Sequence, residues 1–310
     1  MTKNSARPSQ KVEIQPSSTP TTTKNNLFQI SIQLKELLPS GIIWAVAALV
    51  TGGLLWLLSD VFWQGIDQIS WEFLTTPPRN AGRDGGIAPI IVSTGLIVGV
   101  CMTVSIPLGV GTALMLAEFS SASSGLGRLV RLSLDILAGV PSIVFGLFGN
   151  AFFCKTLGMG FSILSGGLTL ACMVLPILIR STLEGFRAVP DDYRHGAAAL
   201  GISRLAILWE LLLPAAMPGV VVGLLLGLGR AIAETAALIF TSGYVDRMPE
   251  SLFDSGRSLS VHIYDLAMNV SGGEANAYAS ALVLVSFLVL INGTTSWLAE
   301  RFRQSKIFVV

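Results

Sequence analysis

Long apolar runs separated by short polar stretches are the dominant pattern along this chain of 310 residues. A helix needs about 20 apolar residues to cross the ~30 Å hydrocarbon layer of a membrane. Six runs reach that length, which predicts an all-α, polytopic membrane protein with six transmembrane helices. These runs cover residues 41–62, 88–119, 132–154, 161–182, 215–240 and 277–299. The second run is too long for one straight span, and Pro107 indicates a kink or a helix end within it.

The first 39 residues differ in kind from the rest of the chain. Residues 1–26 are rich in Ser, Thr, Pro, Gln and Lys, so they cannot bury enough apolar surface to fold, and we expect them to be disordered. Residues 27–38 place apolar side chains at roughly helical spacing, which indicates a short amphipathic helix at the membrane surface. We therefore divide the chain into a tail over 1–39, a first span over 40–62 and a five-helix domain over 88–303.

Composition supports the membrane prediction and gives no sign of catalysis. Charged residues make up 13% of the chain, about half the usual share of a soluble domain, and the mean hydropathy is +0.68. Cys101, Cys154 and Cys172 fall in or beside apolar runs and lack metal-site spacing, so we interpret them as small apolar side chains. The sequence has no phosphate-binding Gly-Lys-Ser/Thr loop and no nucleophile–base pair. The net charge of +1 by itself says nothing about a partner, and we expect no nucleic-acid partner. We expect no catalytic residue, metal or cofactor in this chain. We expect membrane lipid to surround it.

The distribution of Lys and Arg predicts the orientation in the membrane. With the N-terminus inside, the inner segments hold fourteen of these residues and the outer segments hold five, which places both termini in the cytoplasm. The outer segments 63–87 and 241–276 are long, and 258–269 has the spacing of a short amphipathic surface helix. This helix either covers the bundle or forms a docking surface. His195 and His262 are expected to be surface residues.

The inner segment 190–214 is the most informative stretch. Pro190 ends the preceding helix, Asp191 or Asp192 can cap a new one, and small residues dominate 193–200 until Gly201 ends it. A second helix is expected over 203–213, with Pro214 breaking it before the fifth span. Small side chains allow close approach of another protein, so the segment is either a docking element or an ordinary helical hairpin on the membrane surface.

The spacing within this segment resembles the cytoplasmic loop of ABC importer permeases. That pattern is Glu-Ala-Ala, three residues, Gly, nine residues, Ile, one residue, then Leu-Pro. Gly201 is followed at the same spacing by Leu211 and Leu213-Pro214, whereas His195-Gly196-Ala197 replaces Glu-Ala-Ala. The resemblance implies that the loop docks on a separate ATPase subunit through residues Asp191, Tyr193, His195, Gly196, Ala197, Gly201, Leu211, Leu213 and Pro214. The missing Glu leaves any ion pair at that position in doubt.

Three further stretches resemble signatures of phosphate importer permeases. They are DILAGVPSIVFGLFG at 135–149, LPILIRSTLEGFRAVPDDYR at 175–194, and LGRAIAETAALIFTSG at 228–243, where Ala233 replaces the Gly of the family's Arg-Ala-Ile-Gly-Glu-Thr segment. With SLSVHIYDLA at 258–267, the chain resembles the A-type (PstA-type) permease subunits of phosphate-specific ABC importers. The fold implied is the type I ABC importer transmembrane domain in the bacterial inner membrane.

The same resemblance implies a set of partners. They are a sister permease (PstC-type), an ATPase dimer (PstB-type) that binds ATP and Mg, and an extracytoplasmic phosphate-binding protein (PstS-type). Alternative interpretations are the C-type sister subunit, or a permease for sulfate, molybdate or phosphonate. An ATP-independent channel or secondary transporter is a further alternative of a different class.

Charged residues within the apolar runs are the candidates for an ion path. Arg230 and Glu234 lie four residues apart on the predicted fifth span, with Arg230 ~22 Å along it at ~1.5 Å per residue. A charge there costs at least ~2.5 kcal/mol, so both should face the bundle interior or water, either as a structural ion pair or as a phosphate path. Arg180 and Glu184 repeat the spacing, although Arg180 can instead extend to the headgroups.

The third run carries a candidate structural set. Asp135 can pair with Arg131 or with Arg180, and Gly and Pro residues nearby make the run irregular, which suits a cavity wall or a tight helix contact. The set comprises Asp135, Gly139, Pro141, Ser142 and Gly146.

Overall fold

The structure is a computed structural model that describes residues 22–120 and 125–307, and it is almost entirely helical over these residues. Five of the described helices are long and apolar enough to cross a membrane, or six if one sharply bent pair counts as a single span. The spans are Ile42–Ile66, Ala88–Phe119, Ile163–Arg187, Arg204–Ala233 and Glu274–Trp297, with the bent pair formed by Gly125–Gly139 and Ser142–Thr156. The predicted all-α, polytopic fold is confirmed.

The chain divides into two units, Met1–Leu58 and Ser59–Val310. In the first unit the described backbone belongs to one helix, α1, which runs over Thr22–Ile66 and so continues into the second unit. Residues 1–21 of the predicted disordered tail lie outside the described residues. The short helix expected over 27–38 is continuous with the first span and is not a separate element.

The second unit contains the remaining spans and the elements at their ends. Its helices are α2 Trp71–Thr75, α3 Ala88–Leu114, α4 Gly125–Gly139, α5 Ser142–Gly149, α6 Ile163–Arg187, α7 Asp191–Ala199, α8 Arg204–Ala206, α9 Leu213–Ala233, α10 Ala236–Ile239, α11 Leu259–Met268 and α12 Glu274–Ile307. Wider π turns extend α3 over Met115–Phe119, extend α5 over Asn150–Thr156, and join α8 to α9 over Ile207–Leu212. Strands β1 Pro78–Arg79 and β2 Asp84–Gly85 pair antiparallel, with Pro78 opposite Gly85.

Helix α6 is the centre of the second unit, with α3 and α9 packed along it. Fifteen of its 25 residues are buried, because its neighbours carry small residues where they approach. A Cβ atom on Gly219 of α9 would lie 2.4 Å from the Cα of Gly185, so the two backbones are in direct contact. The Ser181 hydroxyl donates a hydrogen bond of 2.9 Å to the Gly219 carbonyl at the same place. Helices α6 and α9 are therefore joined backbone to backbone.

The third apolar run forms two helices and not one straight span. Helix α4 ends at Gly139, and α5 begins at Ser142 after a bend of 105°. Pro141 precedes α5 in an extended conformation with ψ of 142°, and proline disfavours a helical residue before it, which explains the break. Gly146 then packs against Ala237, where an added Cβ would lie 2.9 Å from the Ala237 Cα. The predicted irregularity and tight contact are both present.

Two prolines predicted to interrupt helices do not end them. Pro107 lies inside α3, which continues to Leu114. Pro214 was expected to break the helix before the fifth span, yet the helical segment continues from Arg204 to Ala233. The π turn over Ile207–Leu212 changes the hydrogen-bond register immediately before Pro214, which then lies in the first turn of α9, where the missing N–H is tolerated.

The two ends of the second unit have different architectures. The end that carries α7, which we call the α7 end, has a continuous apolar core around Phe186, Leu183 and Leu212. The opposite end, the α11 end, carries α2, the β1–β2 hairpin and α11 over a separate core that includes Phe73, Ile90 and Leu259. The short helix predicted over 258–269 is confirmed as α11.

The contact between α6 and α9 predicts opposite effects for two matched substitutions in α9. In Gly219→Ala the new methyl group would overlap the Gly185 backbone, so we expect a loss of ~1–3 kcal/mol and a lower unfolding temperature in detergent. Gly229→Ala is the control because its Cβ would meet no described atom within 4 Å, and we expect it to be neutral or stabilising by up to ~1 kcal/mol. Equal stability of the two variants would contradict the close contact.

Candidate functional site

The segment 190–214 forms a short helix that projects from the bundle. Pro190 precedes α7 with ψ of 143°, and Asp191 and Asp192 occupy the first turn, where carboxylates stabilise the free N–H groups. Gly201 follows α7 with φ of +73°, a left-handed conformation that favours glycine. The Ser203 hydroxyl accepts a hydrogen bond from the Ala206 N–H and caps the next helical segment. The short helix and its glycine end are as predicted.

The sequence-predicted docking residues separate into an exposed set and a supporting set. Five are exposed on or beside α7: Asp191, Tyr193, His195, Gly196 and Gly201. Ala197 is buried in the apolar core of the α7 end, and Leu211, Leu213 and Pro214 are half-buried below it. The first set can contact a partner, whereas the second holds α7 against the bundle.

A groove lies between α7 and the segment that follows it. It has a volume of about 440 Å³, and its floor is apolar, with Ala197, Ile207 and Leu211 among the lining residues. Asp192 and Glu210 also line it, and both are exposed. An occupant of this groove would meet apolar walls and two carboxylates.

Arg194 of α7 reaches another spanning segment, at the π turn over Met115–Phe119 that ends α3. Its guanidinium contacts the Glu118 carboxylate at 2.7 Å, and both side chains are mostly buried. The hydrogen bond that Arg194 donates to the Glu118 carboxylate raises the pKa of Arg194 above its ordinary value. No local pattern in the sequence predicts this pair, because the two residues are 76 positions apart. The only available signal was a lone glutamate at the end of an otherwise uncharged apolar run.

The candidate charged residues of the spans form different pairs from those predicted. Arg180 is paired with Asp135 of α4, one of the two partners expected for that carboxylate. Glu184 pairs instead with Arg187 at 3.2 Å, so Arg180 and Glu184 do not act as one unit. Both residues of the Arg180–Asp135 pair are exposed on the surface of the second unit, with side-chain exposures of 48% and 65%.

Arg230 and Glu234 do not share a helix face, contrary to the prediction. Helix α9 ends at Ala233, and Glu234 has an extended backbone with ψ of 128°. The Arg230 side chain is exposed in the last turn of α9, whereas a Glu234 carboxylate oxygen accepts a hydrogen bond from the Ala237 N–H and caps α10. The Ser260 hydroxyl of α11 donates to the Glu234 carbonyl at 2.5 Å. A break in the fifth span, invisible to helical periodicity, separates the two charges.

The α11 end contains a buried polar cluster. Arg257 contacts Asp265 at 3.2 Å and donates to the Tyr244 carbonyl at 2.9 Å. His262 was expected on the surface, but it is 1% exposed, with its ring 3.4 Å from the Arg257 guanidinium and against Gly82. Burial first, and then the Arg257 charge, lower the pKa of His262 to about 4. This cluster fixes α11 to the preceding loop.

The described residues, 22–120 and 125–307, contain no group of three or more His, Cys, Asp or Glu side chains arranged to hold a metal ion. The three cysteines are free thiols, and Cys101 and Cys154 are buried.

Comparison with known proteins places the chain among transport proteins. A family model described as "Binding-protein-dependent transport system inner membrane component" matches residues 105–306. A probable ABC transporter permease protein of Bacillus subtilis, YqgI, is 30% identical over 281 residues, 86% of this chain and 95% of that protein. Phosphate transport system permease proteins PstA of Mycobacterium leprae and Xylella fastidiosa are 33% and 32% identical, over 77% and 74% of this chain and 80% and 78% of theirs.

Solved structures with a similar fold include chains of two ABC transporters. A chain of an alginate transporter in complex with its pentasaccharide-bound periplasmic protein has a TM-score of 0.61 at 14% identity, covering 90% of this chain and 97% of that one. A chain of the inward-facing methionine transporter MetNI has a TM-score of 0.56 at 17% identity, covering 70% and 94%. At these identities the likeness concerns the fold.

The buried His262 predicts an acid-sensitive α11 end. The pKa of His262 is about 4 in the folded chain and about 6.5 in the unfolded chain. Between these two pH values, only the unfolded state binds the proton. Stability should therefore be unaffected by this residue above pH ~6.5 and fall by ~1.4 kcal/mol per pH unit towards pH ~4. Thermal unfolding of wild type and His262→Gln across this range measures the contribution. An equal pH dependence of stability in wild type and His262→Gln would contradict a contribution from His262.

Proposed function

Because the chain belongs to the family of binding-protein-dependent transport system inner membrane components, we propose that it is the permease subunit of an ATP-driven phosphate importer. The family model covers about two thirds of the chain, and the fold is that of a type I ABC importer transmembrane domain. The chain is thus a multi-pass ABC importer permease and not a catalytic enzyme. Phosphate as the cargo, the particular partners and the coupling to ATP are the proposal.

Similarity to phosphate permeases is the observation that carries the cargo assignment. The PstA proteins of Mycobacterium leprae and Xylella fastidiosa match this chain at 33% and 32% identity over 245 and 229 residues. The similarity extends over about three quarters of the chain and is not confined to one motif. An A-type subunit that pairs with a sister permease (PstC-type) is the form this similarity favours.

Arg230 and Arg180 support an anionic cargo on physical grounds. Both belong to spanning helices and expose their guanidinium groups on the surface of the second unit. A lone cation facing lipid is costly, so the surface around Arg230 should face a sister subunit and a water-filled path. A guanidinium matches the oxygen geometry of phosphate. Asp135, paired with Arg180, lowers the net charge there, which suits a path that must also release its ion.

The segment 190–214 is proposed to couple the permease to a separate ATPase dimer (PstB-type). Its exposed small residues allow close approach, and the groove beside α7 can accept an apolar side chain with a basic head between Asp192 and Glu210. Those two carboxylates can replace the glutamate missing at His195. ATP and Mg would be bound by the ATPase, whose closure moves α7 as a rigid element.

The orientation follows from this docking. The α7 end faces the cytoplasm with both termini, in agreement with the Lys and Arg distribution, and the α11 end faces outward from the bacterial inner membrane. An extracytoplasmic phosphate-binding protein (PstS-type) would deliver its cargo to the α11 end. The alternative interpretation, in which α11 only covers the helix bundle, predicts that substitutions on the surface of α11 leave cargo delivery unchanged.

Uptake by the reconstituted complex tests the proposal. Proteoliposomes with both permeases, the ATPase and the binding protein should import labelled phosphate only with internal ATP. If sulfate, molybdate or phosphonate competes for uptake and unlabelled phosphate does not, the competing anion is the cargo. Uptake without ATP or without this subunit would contradict the proposal.

Arg230→Gln should strongly reduce phosphate uptake while the complex still assembles. The change removes the charge and leaves a shorter polar side chain, so we expect a loss of roughly tenfold or more, in line with the ~1.5–3 kcal/mol of a charge-assisted hydrogen bond. Lys155→Gln, which removes another exposed cation, is the control and should retain uptake. Normal transport by Arg230→Gln would reduce Arg230 to a structural role.

Gly196→Phe should weaken binding of the ATPase without unfolding the permease. A Cβ at Gly196 would meet no described atom within 4 Å, so the ring projects from α7 into the space a partner would occupy. Co-purification of the ATPase should fall roughly tenfold or more, as for overpacking costs of ~1–3 kcal/mol. Gly196→Ala is the matched control and should bind nearly normally. Undiminished binding by the Phe variant would show that this face of α7 is not the docking surface.

A further inference from the structure

Arg194 connects α7 to two spanning helices at once. Its Nη2 donates to Glu118 at 2.7 Å, and its Nε lies 3.1 Å from the same carboxylate oxygen. The same guanidinium donates to the carbonyl oxygens of Phe186 at 3.1 Å and Val189 at 2.9 Å, at the end of α6. One side chain therefore binds the Phe186 carbonyl of α6, the Val189 carbonyl just beyond that helix, and the π turn that ends α3.

The other side chains of α7 offer little alternative attachment. All nine residues of Asp191–Ala199 are described, and every one except Arg194 and Ala197 is exposed. Ala197 is buried in the apolar core of the α7 end, but a methyl group can slide against its neighbours. Arg194 is therefore the long, directional contact between α7 and the spanning helices.

Burial distinguishes the Arg194–Glu118 pair from the exposed ion pair nearby. Its side chains are 23% and 15% exposed, compared with 49% and 71% for Arg187–Glu184. Exposed pairs contribute little to stability, whereas a shielded, charge-assisted contact through several hydrogen bonds resists separation. The pair also ends in the π turn over Met115–Phe119, a helix irregularity often associated with function.

We propose that Arg194 and Glu118 are the positioning residues through which a displacement of α7 reaches α3 and α6. The inference rests on the proposed docking of α7 on an ATPase. When α7 moves, the guanidinium draws the end of α3 through Glu118 and the end of α6 through its carbonyl groups. Because Arg180 lies on α6, its pairing with Asp135 of α4 would change as a result.

The test measures phosphate imported per ATP hydrolysed by the complete complex in proteoliposomes. In Glu118→Gln, which is nearly isosteric, ATP hydrolysis should persist while import per ATP falls about tenfold, within the usual range of coupling energies. Arg194→Lys keeps the charge but loses the forked geometry, so an intermediate loss is expected. The double variant Glu118→Arg with Arg194→Glu should recover part of the ratio. Arg187→Gln breaks the exposed pair and is the control, with an unchanged ratio.

A second measurement does not depend on the cargo. Spin labels at Leu132→Cys in α4 and Ala188→Cys beside α6, with the three native cysteines replaced by Ala, report ATP-dependent movement between these helices. We expect a distance change in the wild-type background that is lost in Glu118→Gln. If the distance change occurs in the wild-type background, is lost in Glu118→Gln, and the complex does not import phosphate, the proposed cargo is rejected but the link is supported.

Three outcomes would overturn the link. The first is a normal import ratio in Glu118→Gln. The second is an ATP-dependent distance change that Glu118→Gln leaves intact. If import and hydrolysis fall together because the ATPase no longer binds, the pair serves assembly and the inference is wrong.

Discussion

Backbone hydrogen bonding in hydrocarbon is the constraint on which this structure depends. Because no water is available there, a spanning segment must satisfy its own N–H and C=O groups, and a break is tolerated only where other groups replace the lost bonds. The break after α9 follows this rule, since the Glu234 carboxylate caps α10 and the Ser260 hydroxyl binds the Glu234 carbonyl. The Asn150 side chain likewise donates to the Phe240 carbonyl at the end of α10. The irregular positions are thus the ones where polar side chains enter the bundle.

The two ends of the second unit use polar contacts for opposite purposes. At the α11 end, Arg257, His262 and Asp265 are mostly buried and hold α11 to the adjoining loop, so this end is fixed. At the α7 end, most of α7 is exposed, and its polar attachment is concentrated in Arg194. The fixed α11 end suits the proposed delivery of a cargo, while an element whose polar attachment is concentrated in one side chain suits the proposed transmission of movement.

Much of this architecture could be predicted from local sequence. Apolar runs identify the spans, and Gly201 marks the end of α7, because both depend on residues close together in the chain. Pro214 was misinterpreted because a π turn changes the hydrogen-bond register before it, which periodicity does not reveal. Arg230 and Glu234 were placed on one face because the helix was assumed to continue. His262 and Arg194 depend on contacts with Gly82 and Glu118, distant in sequence, so no local pattern could find them.

The contact between Gly185 and Gly219 gives the 190–214 loop a mechanical character. The loop leaves α6 and returns to α9, and these two helices touch backbone to backbone next to its base. With no side chains between them to compress, the two helices cannot move closer together, and the hydrogen bond from Ser181 to the Gly219 carbonyl opposes their separation. A displacement of the loop would therefore rotate α6 and α9 together as one rigid pair, without a change in the spacing between them.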